Sequence, residues 1–172
     1  MKLYSRLKGV RGRVMFACLF VLASTLSGGL SIAREVISDY QLFSAEEVLA
    51  AEYIEDNLPS DAVILTGDQH NNAVAALTGR DIVCGTGSYL YFHGIDYSLQ
   101  RSDMAAMLAN PAANLEAFGG YGIDYIYISN HEIYNYAADE NWFADNCQLV
   151  FGNSSARIYA WNPDLSQNMT SP

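Results

Sequence analysis

The segment IDYIYIS, residues 123–129, is the strongest strand signal in this chain of 172 residues. Isoleucine and tyrosine favour strands, and the glycine-rich GGYG at 119–122 marks a turn before them. A second short run, AVILT at 62–66, contains β-branched residues and has turn formers on both sides. Such a run is typical of a strand that is buried on both faces. Together the two segments predict two strands of a sheet.

Helical patterns separate these strands. Ser44 and Glu47 have the spacing of a capping box, and the apolar residues after them keep helical spacing as far as Leu58. Further elements are expected in alternation: helices at 72–77, 102–109, 111–118 and 139–145, a strand at 82–84, a loop at 85–88, and strands at 148–151 and 156–161 around a Gly-Asn-Ser-Ser turn. The alternation predicts an α/β fold, namely a small three-layer, mostly parallel domain with a C-terminal β-hairpin.

An uncharged segment precedes this domain at residues 14–33. Its 20 residues, at about 1.5 Å each, span roughly 30 Å, the thickness of the hydrocarbon core of a bilayer. The segment is therefore expected to be a transmembrane helix or, because Ser31-Ile32-Ala33 resembles a cleavage site, a signal segment. The sequence leaves both open. In either case the basic residues before it predict a cytoplasmic N-terminus and an outer location for the rest.

The predicted organisation has five parts. They are a basic cytoplasmic segment at 1–13, the transmembrane or signal segment at 14–33, a connector at 34–43, an extracytoplasmic α/β domain at 44–161 and a flexible tail at 162–172. The protein is expected to be a single-pass membrane protein, or a secreted one if residues 1–33 are removed. Within the chain's net charge of −10, the region after Arg34 carries 3 arginines and 19 acids, or 3 − 19 = −16. Such an acidic domain repels phosphate backbones, which excludes nucleic acid as its partner.

The densest polar cluster is TGDQHNN at 66–72, directly after the first predicted strand. Ligands of open α/β sheets bind outside the carboxyl ends of strands, so this position suits a site. His70 could act as an acid or base that Asp68 orients. Alternatively, Asp68, Asn71 and Asn72 turn the chain and cap the next helix.

A second cluster joins GTGS at 85–88 to HGIDY at 93–97. Its Gly-x-Gly lacks the third glycine or the Lys-Ser/Thr of a nucleotide-binding loop. The neighbouring Tyr89, Tyr91 and Phe92 could stack on sugars, lie at the headgroup level of a membrane, or pack in the core.

The sequence predicts neither a metal site nor a cofactor. Its three histidines lack the spacing of metal ligands, and no Gly-x-Ser-x-Gly elbow supports a serine nucleophile. Cys84 and Cys147 could form a disulfide in an oxidising compartment or remain buried free thiols.

Several short motifs occur in a definite order: YIEDNLPSDAV at 53–63, GDQHNN at 67–72, ALTGR at 76–80, HGIDY at 93–97 and YGIDYIYI at 121–128. This order resembles the C-terminal extracytoplasmic domain, with the last membrane helix, of prokaryotic multi-pass membrane proteins related to the GT-C glycosyltransferases. The resemblance covers roughly residues 44–160. In that family the catalytic acidic residue lies in an early extracytoplasmic loop that has no counterpart here, so no catalytic residue is carried over.

The resemblance implies an extracytoplasmic accessory domain without its own catalytic centre, within a longer protein or separate from it. Its implied partners are the membrane, a polytopic glycosyltransferase core, and a lipid-linked sugar or glycan. The candidates for substrate contact are His70, Asn71, Asn72, Arg80, His93 and Asp96. Arg80, a rare cation in an acidic domain, would receive an anionic ligand or hold an ion pair. The alternatives are a free-standing, membrane-anchored module that binds envelope carbohydrate, and a small exported enzyme that uses Asp68 and His70.

Overall fold

The structure, a computed structural model, describes residues 9–38 and 40–162. Residues 1–8 of the predicted basic segment, residue 39 of the connector and residues 163–172 of the predicted tail lie outside the described residues. The chain divides into two compact units, Met1–Gln41 and Leu42–Pro172.

The first unit contains helix α1, Val10–Val36, whose 27 residues measure about 40 Å at 1.5 Å each. No side chain of α1 is buried, and the helix is long and apolar enough to cross a bilayer, a test that a signal sequence also passes. The hydroxyls of Ser24, Thr25 and Ser31 donate to carbonyls one turn earlier, at 2.7, 2.9 and 3.0 Å. These side chains therefore need no water in an apolar surrounding.

The second unit alternates strands and helices, as the sequence predicts. Its described strands are β1 (Val63–Leu65), β2 (Asp81–Ile82), β3 (Tyr125–Ser129), β4 (Gln148–Gly152) and β5 (Ala156–Ala160). Its described α-helices are α2 (Ala45–Asn57), α3 (Gly87–Phe92), α4 (Ser98–Ala109), α5 (Leu115–Tyr121), α6 (Asn130–Tyr136) and α7 (Glu140–Asn146). A π-helical turn at Val74–Thr78 and a 3-10 turn at Pro111–Ala113 complete the unit.

The five described strands form one sheet in the order β2-β1-β3-β5-β4. Strand β1 lies between β2 and β3 and is parallel to both, whereas β5 is antiparallel to both β3 and β4. The sheet is therefore mixed rather than mostly parallel, because β5 pairs antiparallel with both of its neighbours.

Apolar side chains pack on both sides of β3. Ile126 and Ile128 belong to one core cluster and Tyr127 to another, since successive residues of a strand point to opposite faces. The first cluster also takes in fully buried residues of α4, α5 and α7, namely Met104, Met107, Leu108, Phe118 and Phe143. The second takes in residues of α2 and the π-helical turn, namely Ala50, Ile54 and Val74.

Several predicted element boundaries are wrong. The strand expected at 82–84 is β2 at Asp81–Ile82, and the helix expected at 111–118 is a 3-10 turn followed by α5, which continues to Tyr121. Gly87 and Ser88, predicted as part of a loop, begin α3, and α4 begins at Ser98 rather than Ser102. The side chain of Asp96 accepts hydrogen bonds from the backbone N–H and the hydroxyl of Ser98, at 3.0 and 2.7 Å, and so supports the earlier start.

Candidate functional site

A crevice lies where β1 and β3 end. The two strands are parallel neighbours, so residues 66–69 and 129–132 leave the same edge of the sheet. The chain after β1 packs with the second core cluster through Val74, whereas α6 after β3 packs against the first cluster through Ile133. Connections that depart to opposite faces leave a gap between them, which is the usual place for ligands in open α/β sheets.

Glu132 holds the two strand ends together. It is fully buried, and its Oε1 accepts from the hydroxyl of Thr66 and the N–H of Gly67, both at 3.1 Å. Its Oε2 accepts from the N–H of Ser129 at 2.9 Å, which closes a capping box at the start of α6. The buried carboxylate is thus surrounded by donors from both strands, as burial of a charge requires.

Asp68 is the second carboxylate at this edge and is 8% exposed. One of its oxygens accepts a hydrogen bond from the hydroxyl of Tyr136, and the other lies 3.0 Å from Nε of Arg101. The Arg101 side chain is 55% exposed, so a cation faces solvent beside a buried anion.

These groups line an open cavity of about 330 Å³. Its walls are formed by Asp68, Gln69, Arg101, His131, Asn135 and Tyr136. The ring of His131 packs 5.9 Å from that of Tyr136, and its Nδ1 lies 3.2 Å from Nδ2 of Asn135. The crevice therefore offers donors, acceptors and the edge of an aromatic pair within one small volume.

Burial raises the pKa of Tyr136 to about 12, and its hydrogen bond to Asp68 adds to the effect. The phenol therefore stays protonated and donates to Asp68 at neutral pH. Burial, reinforced by the charge of Asp68, also raises the pKa of the Cys84 thiol to about 11.

The predicted residues of the first polar cluster have separate roles. Asn72 is buried and ties the loop together, donating to the hydroxyl of Thr66 at 3.0 Å and to the carbonyl of Gly67 at 2.9 Å. Asn71 donates to the carbonyl of Leu42 at 3.3 Å. His70 is exposed, and among the described contacts none joins it to Asp68.

Arg80 lies at the C-terminal end of α2. Its guanidinium donates to the carbonyls of Leu58 and Glu55, at 3.1 and 3.4 Å, which are among the unpaired acceptors of the last helical turn. Among the described residues, the ion pairs are formed by Arg101 and Arg157 instead. Arg80 thus stabilises a helix end through carbonyls, a third role beside the two expected from the sequence.

His93 and Asp96 lie on the exposed turn between α3 and α4. Hydrogen bonds from the backbone and side chain of Ser98 lower the pKa of Asp96. Neither residue lines the crevice described above. The structure therefore places the six predicted contact residues at several positions, and Asn72 is bonded to the loop that supplies Asp68 and Gln69 to the crevice.

Four crevice residues were not predicted: Arg101, His131, Asn135 and Tyr136. The sequence did contain one signal for this region, because Ser129-Asn130-His131-Glu132 has the same Ser-x-x-Glu form as the predicted cap of α2. Within the described residues, no group of three His, Cys, Asp or Glu side chains could hold a metal ion.

No protein-family model matches this chain, and no curated protein matches it either. No residue role from another protein is therefore transferred to it.

Proposed function

We propose that the chain is a membrane-anchored, extracytoplasmic accessory domain of a glycosyltransferase-like membrane protein, and that it binds a glycan without a catalytic centre of its own. The crevice at the ends of β1 and β3 is the observation that carries this proposal. Its exposed Arg101 and the amide of Asn135 provide donors and an acceptor for vicinal sugar hydroxyls.

The contacts of Asp68 favour binding over catalysis. A general base must reach the proton that it removes, yet both oxygens of Asp68 are engaged by Tyr136 and Arg101. His70, the acid or base of the alternative exported enzyme, points from an exposed turn. The arrangement therefore supports a rigid recognition surface, which His70, Asn71 and the turn with His93 and Asp96 could extend.

The membrane location is part of the same proposal. Helix α1 could span a bilayer, and the five basic residues before residue 14 favour a cytoplasmic N-terminus. The acidic unit that follows would then lie outside, or be secreted if residues 1–33 are cleaved. Protease added to intact cells should digest the outer unit and leave a protected N-terminal fragment if the helix is retained.

We propose a three-layer arrangement with helices on both sheet faces and a C-terminal hairpin of β4 and β5. It is supported by the two core clusters on opposite sides of β3 and by the antiparallel pairing of the last two strands.

Glycan binding can be tested with a panel of neutral and acidic oligosaccharides on an array, using the full chain in detergent. Arg101→Ala should weaken binding about tenfold or more, since hydrogen bonds from charged groups contribute roughly 1.5–3 kcal/mol. Arg157→Ala is the matched control, because Arg157 also pairs with a carboxylate, Glu140, at 2.6 Å but does not line the crevice. Absence of binding to every oligosaccharide, or equal losses in both variants, would contradict the proposal.

A free-standing module that binds envelope carbohydrate is the second candidate. The presence of two apolar clusters within the second unit favours it, since a unit with its own core can fold without a partner. Expression of the chain without any polytopic partner separates the two candidates. A chain that folds only when co-expressed with a glycosyltransferase core contradicts the free-standing module, whereas a cooperative thermal transition of the chain alone shows that folding needs no partner.

A further inference from the structure

Helix α3 and the turn after it expose an unusual amount of aromatic surface. Tyr89, Tyr91 and Phe92 are 62%, 70% and 83% exposed, and Ile95 in the turn is 52% exposed. Leu90 alone turns inward from this group and packs against the first core cluster. Within residues 87–95, Leu90 thus faces the core, whereas the three aromatic side chains and Ile95 face the surroundings.

The same segment lacks the acidity of the rest of the domain. Residues 82–95 include no Asp, Glu, Lys or Arg, although the region after Arg34 carries a net charge of −16 by the count above. Anionic surfaces are repelled by acidic lipid headgroups, so an uncharged apolar segment is the part of this domain best suited to approach a bilayer.

The chain itself brings a bilayer within reach. Eight residues, 37–44, separate the end of α1 from the start of α2, and they can extend over at most about 28 Å. A domain tethered so closely meets the membrane surface at a high effective concentration. Tyrosine, with an apolar ring and a polar hydroxyl, is enriched at the headgroup level of membranes.

We propose that residues 87–95 form a membrane-contact segment, whose aromatic side chains lie at the headgroup level of the bilayer in which α1 is anchored. The proposal needs α1 in the membrane but does not rest on glycan binding. Residues 87–95 could instead contact a second copy of the chain or another membrane protein. The experiment below distinguishes such protein contacts from contact with lipid.

The test uses the full chain reconstituted into phosphatidylcholine vesicles through α1. Phe92→Trp places a reporter on the segment, and Leu149→Trp is the matched control, because Leu149 is 54% exposed on β4 at the opposite end of the sheet order. The native Trp142 and Trp161 contribute the same background to both variants. Spin-labelled lipids, with the label near the headgroup or near the end of the acyl chain, serve as quenchers.

We expect the added emission of Phe92→Trp to be shifted to the blue and quenched more strongly by the shallow label than by the deep one. The added emission of Leu149→Trp should be neither shifted nor quenched. Equal, unquenched emission from the two variants would overturn the proposal. A blue shift without lipid quenching would also overturn it, and would point to a second copy if the shift grew with the protein-to-lipid ratio.

Discussion

At the residue scale, the crevice depends on how closely the backbone of Gly67 approaches its neighbours. A Cβ atom at this position would lie 2.6 Å from Oε1 of Gln69 and 2.7 Å from Cε2 of Tyr136. The first neighbour is the end of a flexible side chain, whereas the second is a ring fixed by its hydrogen bond to Asp68. The sequence showed Gly67 only as part of a turn, since nothing local reveals what approaches it.

Gly67→Ala should therefore lower the free energy of unfolding by about 1–3 kcal/mol, the usual cost of overpacking a buried site. The matched control is Gly119→Ala within α5, where a Cβ would meet no atom within 4 Å. Because alanine favours helices, the control should be neutral or stabilising by up to about 1 kcal/mol. Urea unfolding of both variants checks the pair, and an unaffected Gly67→Ala variant would show that Tyr136 moves freely.

Tyr136 makes the stability of the folded protein depend on pH in the alkaline range. Its pKa rises from an ordinary value of 10.0 to about 12 in the folded protein, so deprotonation favours the unfolded chain. Its stabilising contribution is complete below pH 10 and is lost as the pH rises towards 12. Near pH 8, Tyr136→Phe should cost about 1 kcal/mol through the lost hydrogen bond.

The difference in the free energy of unfolding between the wild-type protein and Tyr136→Phe should then become smaller above about pH 10. Urea unfolding at a series of pH values measures it. Tyr134→Phe, at an exposed tyrosine of the same helix, is the control and should change the stability little near neutral pH. A difference between wild type and Tyr136→Phe that stays constant up to pH 12 would contradict the assigned hydrogen bond.

At the scale of elements, capping signals were read correctly once and overlooked once. The box of Ser44 and Glu47 was predicted and is present at α2, with the N–H of Glu47 donating to the Ser44 hydroxyl at 3.2 Å. The box of Ser129 and Glu132 has the same form, but its serine ends a strand, so the sequence pattern favoured strand there. Apolar periodicity identifies element types, whereas a direct strand-to-helix junction leaves no polar linker to mark it.

Arg80 links two elements and gives a prediction at this scale. Arg80→Ala removes donors to the last carbonyls of α2 and a favourable charge at a helix C-terminus, so the protein should lose about 1–2 kcal/mol of stability. Arg80→Lys should recover part of it, since it keeps the charge but not the planar fork. Thermal unfolding tests this. Unchanged stability together with altered oligosaccharide binding would instead favour the ligand-contact role predicted from the sequence.

At the scale of the whole molecule, the two thiols of the second unit, Cys84 and Cys147, report on folding. Cys84, Cys147 and Cys18 are free, and burial raises the pKa of the first two to about 11. Near pH 8 only about one thiol in a thousand is then ionised, and maleimide should label both domain cysteines slowly. Labelling should become fast in denaturant, as measured by peptide mass spectrometry. Labelling of the denatured chain that required a reductant would reveal a disulfide and contradict this result.

The crevice itself could not be derived from the sequence. Asp68 and Tyr136 are 68 residues apart and meet only because β1 and β3 pair in parallel, with Leu65 opposite Ile126. Periodicity located both strands, but strand order is a property of the whole fold. The first half of the site, residues 66–72, was therefore predictable from its place after a strand. The second half of the site, which includes Tyr136, could be placed only once the order of the strands was known.

The two edge strands of the sheet affect whether copies of this domain can associate with one another. Strand β2 has only two residues, and β4 has a register shift between Leu149 and Phe151 that interrupts its ladder with β5. Short or irregular edges are poor templates for another strand. Copies of the domain at high concentration should therefore not polymerise edge to edge through their sheets.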